Sequence, residues 1–108
     1  MLTLPPFDRN MSSLKDQLIL ETVARRIHYQ QLEKAQTLLN GIEYNEGNDP
    51  LDLAVKNLQS EIFIKEKKFE DAVPILQHLK TAYEVQGHTE AVNAVLEKIR
   101  ASEEMLTN

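Results

Sequence analysis

Residues 27–39 and 64–76 spell one pattern twice, IHYQQLEKAQTLL and IKEKKFEDAVPIL, set 37 positions apart. Each copy reads isoleucine, four polar or tyrosine residues, a large apolar residue, glutamate, any residue, alanine, two further residues and two aliphatics. Self-similarity at a period of this length marks a supersecondary unit that buries its apolar face against a neighbouring copy of itself. Whatever the first copy folds into, the second must fold into as well. That rules out most architectures before any single element is assigned.

The unit is helical. Ser13 followed by Asp16 reads as a cap and a first-turn carboxylate, and predicts a helix from about Leu14. Leu14, Leu18, Ile19, Leu20, Val23, Ala24 and Ile27 give that helix an apolar side broad enough for neighbours on two flanks, while Lys15, Glu21, Arg25 and Arg26 face mostly elsewhere. HYQQ interrupts the pattern. A shorter helix follows with Leu32, Ala35, Leu38 and Leu39, and it ends at Asn40-Gly41, where the glycine suits a left-handed residue and Ile42 packs back. EYNEGNDP is a polar loop that runs into Asp49 as cap, Pro50 at the first helical position and Asp52 in the first turn of a third helix. Leu51, Ala54, Val55, Leu58, Ile62 and Phe63 carry that helix to about Glu66. A fourth runs from about Phe69 to Gln86 on a stripe of Ala72, Leu76, Leu79 and Tyr83, closed by Gly87. Thr89 caps a fifth, with Val92, Val95, Leu96 and Ile99 at the same spacing. No segment alternates like a strand. The fold class is all-α, about five helices, with residues 1–11 a flexible lead-in and 12–108 a single helical domain.

Two residues in the duplicated pattern carry the packing argument. Ala35 and Ala72 fall where paired helices must approach closely, since a larger side chain there would hold their axes apart. Pro74 falls about one turn inside the fourth helix. It removes the bond to the carbonyl of Glu70, but that carbonyl lies near the helix start, where water reaches it, so the helix is expected to bend rather than break.

This pattern resembles the tetratricopeptide family, whose unit is a pair of antiparallel helices of about 34 residues stacked on its neighbours. The likeness spans roughly residues 14–105. It is carried by Ala35 and Ala72, by Leu32 and Phe69 three positions before them, by Leu39 and Leu76 four after, and by Phe63 where the first helix of a unit usually holds an aromatic. EDAVPILQHL looks like a common form of the family's second helix, proline included. The usual Trp, Leu and Gly of the first helix are replaced by Lys56, Gln59 and Ser60, and Glu84 stands in place of the closing proline. The resemblance implies two and a half helix-turn-helix repeats, the fifth helix serving as the cap that a stack needs at an open end. It also implies a concave side lined by the first helix of each pair: Leu20, Ala24 and Ile27 from one unit, Asn57, Glu61, Ile64 and Lys65 from the next. Family members that clamp a terminal carboxylate use polar residues where Leu20 and Ala24 stand here. An apolar and mixed lining favours a helical or extended apolar segment as ligand.

Composition narrows the function. Seventeen acids against twelve bases give a net charge of −5, which repels nucleic acid. There is no cysteine for a disulfide or thiolate site, as expected of a cytoplasmic protein. No apolar run approaches the ~20 residues that cross a bilayer, and the first residues lack the pattern of a signal peptide. His28, His78 and His88 are scattered without metal-ligand spacing, Ser12, Ser13, Ser60 and Ser102 lack a nucleophile context, and the three glycines mark helix ends or a loop. The expected function is therefore non-catalytic, without cofactor or metal: an adaptor or chaperone that binds a segment of another protein. The alternative is a helical subunit of a larger complex or homo-oligomer that uses the first-helix face as an obligate interface.

Overall fold

The computed structural model describes residues 14–43 and 49–107. They form five α-helices: α1 Leu14–His28, α2 Leu32–Asn40, α3 Pro50–Lys65, α4 Phe69–Gln86 and α5 Thr89–Thr107. No strand occurs among the described residues. Ser13 and the centre of the EYNEGNDP loop lie outside them, as does the lead-in of residues 1–11. α1 carries Asp16 in its first turn and Arg25, Arg26 and His28 in its last, the arrangement that complements the helix dipole. α3 begins as its sequence requires, with Asp49 Oδ1 accepting the Asp52 N–H at 2.8 Å and Pro50 the first helical residue. α4 runs through Pro74 without a break, and Pro74 and Glu70 are both exposed, so solvent reaches the carbonyl that has lost its N–H.

The turns after α1 and α3 are copies of one another. Gln30 and Lys67 both sit at φ 63°, in the left-handed region, although neither is glycine. The Gln31 N–H reaches the Arg26 carbonyl at 2.8 Å, and the Lys68 N–H reaches the Phe63 carbonyl at the same distance. Inside each, a bond of narrower sequence span runs from the Gln30 N–H to the Ile27 carbonyl and from the Lys67 N–H to the Ile64 carbonyl, both 3.0 Å. This is the double closure that satisfies the last carbonyls of a helix when the chain reverses. The following residues, Gln31 and Lys68, also agree, at φ/ψ of −94/67° and −95/66°. A left-handed non-glycine residue costs about 1–2 kcal/mol, so each turn is held in place by the helices on either side.

One turn departs from expectation, and one helix start shifts by a residue. Gly41 is right-handed, φ −82°, and its N–H bonds back to the Leu38 carbonyl at 3.1 Å in a tightened final turn, while Ile42 is buried as expected. Gly87 is the left-handed one, φ 77°, and the His88 N–H closes onto the Tyr83 carbonyl at 3.0 Å. The rings of Tyr83 and His88 meet edge to face at 6.3 Å, the side-chain contact that accompanies this closure. Thr89 is the first residue of α5 rather than its cap, because the His88 carbonyl takes the Val92 N–H.

The chain divides into two compact units, Met1–Val55 and Lys56–Asn108, the division falling inside α3. In the first, α1 packs on α2 and the core holds Val23, Ile27, Ala35, Leu39, Ile42, Leu53 and Val55. In the second, α4 packs on α5 around Ile62, Ala72, Leu76, Leu79, Ala82, Val95 and Ile99. Both alanines of the duplicated pattern are fully buried. Ser60 is buried too, its hydroxyl donating to the Asn57 carbonyl at 2.7 Å. On α5 the core line runs through Val95, Ile99 and Ser102, so Leu96 lies at its edge and is exposed.

The contrast between the glycines is testable by urea denaturation. A Cβ on Gly41 would meet the Leu38 and Thr37 carbonyl oxygens, at 3.4 and 3.9 Å, so Gly41→Ala should raise stability by about 0.5 kcal/mol through the unfolded chain. Gly87→Ala should lower it by about 1 kcal/mol, since it forces a side chain into φ 77°.

Candidate partner-binding site

In the first unit, the residues expected to line a groove are Leu20, Ala24 and Ile27, spaced by four and three along α1 and therefore on one side of it. Ala24 is exposed, Leu20 is half-buried, and Ile27 is 5% exposed, a member of the core. In the second unit, Asn57, Glu61 and Ile64 follow the same spacing on α3 and are half-buried, with Lys65 exposed beside them. Glu61 is already engaged. Its Oε1 accepts from Lys98 Nζ of α5 at 2.9 Å, with about a third of each side chain open to solvent. Residues 61 and 98 are again 37 apart, so α3 and α5 present corresponding positions to one another. That ion pair was not legible in the sequence, where Glu61 reads as a free groove residue.

The opposite flank of α1 is the more open one. Leu14 is 69% and Leu18 55% exposed, unusual for large aliphatics on a helix whose other side is core. Lys15, Leu18, Ile19 and Thr22 of α1, with Leu38 of α2, line a hollow of about 290 Å³. A second hollow of about 380 Å³ adjoins it through the same Leu38 and is bounded by Arg26, Glu33, Lys34 and Thr37. Thr22 and Thr37 turn their hydroxyls onto the carbonyls of Leu18 and Glu33, at 2.9 and 3.0 Å. Arg26 Nη1 donates to Gln31 Oε1 at 2.6 Å, tying the end of α1 to the turn. The sequence signal for this flank was the width of the apolar side of α1, which exceeds what one packing partner covers.

Among the described residues no three His, Cys, Asp or Glu side chains stand together so as to hold a metal ion. No helix of theirs is long and apolar enough to cross a membrane. Burial pushes the Tyr83 phenol above its usual value near 10. No protein family, curated protein or solved structure matches the chain.

Two outcomes follow from these electrostatics. Glu61→Lys sets two ammonium groups side by side and should lower stability by about 0.5–1 kcal/mol; exchanging both residues, Glu61→Lys with Lys98→Glu, should recover most of the loss in the same denaturation assay. Because the folded protein holds the Tyr83 proton more tightly than the unfolded chain, stability present below about pH 10 should fall as pH rises beyond it. Tyr83→Phe should flatten that part of the curve, as read from melting temperatures between pH 9 and about 11.

Proposed function

We propose that this chain is a small, non-catalytic protein-binding module of the cytoplasm, built from tetratricopeptide-like helix pairs and holding a segment of another protein as an adaptor or chaperone. The observation that carries the reading is the turn repeated at 37 residues, with matching dihedral angles and matching hydrogen bonds at Gln30 and Lys67. Equal turns are what equal helix pairs, and so a repeat stack, require. A stack of this kind works by offering the side of its helices to a partner, with affinity drawn from surface rather than from a reactive pocket.

A second reading is favoured by Leu14 and Leu18, whose exposure suits a helical subunit that meets its assembly through the first-helix face. The two readings separate on stability. A fold coupled to self-association melts at a temperature that rises with protein concentration, whereas a monomeric adaptor does not.

Affinity capture of the tagged chain from its native cells, with Ala24→Glu and Leu18→Asp variants alongside, tests the proposal. One stoichiometric partner, lost in at least one variant while helicity is kept, is the expected result. Recovery of no partner, or of the chain alone, would remove the adaptor reading.

A further inference from the structure

We infer that the outer flank of α1, closed by Leu38 of α2, receives an acidic amphipathic helix, with the helix's apolar stripe on Leu18 and Ile19 and its carboxylates on the cations at either side. The inference rests on the protein-binding reading and names the kind of partner. Three observations carry it.

The first is charge. The sequence pattern set Lys15, Arg25 and Arg26 apart from the apolar side, but on α1 as it forms they fall on one side with Leu18 and Ile19, at spacings of three, four and seven. Every lysine and arginine of the helix is there, while its acids, Asp16 and Glu21, fall outside the stripe. With Lys34 and Glu33 of α2 bordering the adjoining hollow, the flank carries four cations against one acid on a chain whose net charge is −5, a local reversal of sign. A partner that meets it with carboxylates gains in encounter rate and in specificity.

The second is the internal standard that the repeat provides. The residues 37 positions after Lys15 and Leu18 are Asp52 and Val55, which are 0% and 5% exposed. Both are buried at the start of α3, within the first unit, whereas Leu18 at the matching place on α1 is more than half open. The flank is therefore of a kind that this fold buries.

The third is shape. From Lys15 to Arg26 the stripe runs roughly 16 Å along the axis, the length of a three-turn helix, and the hollow beside it is floored by aliphatics with threonine hydroxyls turned away. A helix laid there places apolar residues at i, i+3, i+4 and i+7 on Leu18, Ile19 and Leu38. A second copy meeting this flank about a two-fold axis would set like cations against each other, so it suits the surface poorly.

The probes are two capped peptides of about 14 residues with one leucine stripe, flanked by glutamates in one and by lysines in the other, titrated by fluorescence anisotropy into the full chain. The acidic peptide should bind in the micromolar range and the basic one at least tenfold more weakly. Leu18→Asp should weaken the acidic peptide at least tenfold at unchanged helicity, and Lys15→Glu with Lys34→Glu should reverse the preference between peptides. Equal binding of both, or indifference to either variant, would overturn the inference. So would tighter binding after Leu4→Ser with Phe7→Ser, which would show that the chain's own start occupies the flank, or a dimer in sedimentation that Leu18→Asp dissolves. The two levels of the proposal stay distinguishable: a captured partner lost with Ala24→Glu but kept with Leu18→Asp leaves the adaptor reading standing and removes this one.

Discussion

The structure depends on a chain reversal made without glycine. At Gln30 and again at Lys67 the backbone enters the left-handed region carrying a full side chain, a conformation that local sterics oppose. It persists because two hydrogen bonds close over it and because the helices on both sides have cores to reach. The stability of the turn is thus borrowed from packing that lies outside it. Remove the burial of Ala35 and Leu39, or of Ala72 and Leu76, and the local preference of HYQQ or KEKK offers no reason to turn at that place.

Packing in turn depends on small volume at one position. Ala35 and Ala72 are buried completely, and each gives its helix a smooth spot on which a neighbour can settle closely. Pro74, two residues beyond the second alanine, is exposed and lies on the side of α4 away from this contact. Its missing N–H therefore disturbs solvent-facing hydrogen bonding rather than the core, and the helix continues.

Periodicity made the five helices legible to within a residue or so, because apolar spacing is local and the start signals at Asp49 and Pro50 are strong. The turn chemistry was less so. Gly41 and Gly87 look alike as residues after a helix, yet only Gly87 is left-handed. The surfaces were least legible. Spacing placed Leu20, Ala24 and Ile27 on one side of α1, but exposure separates them into half-buried, open and core. The engagement of Glu61 with Lys98 joins residues distant in the chain, and no local pattern announces such a bond.

That bond bears on how strictly the sequence can repeat itself. Glu61 and Lys98 hold corresponding positions one period apart, and they touch. Were the same residue to stand at both positions, glutamate would face glutamate, and two neighbouring carboxylates repel. A contact between like positions requires unlike residues. A strict repeat of the sequence at these two positions would cost this contact, whatever it kept elsewhere.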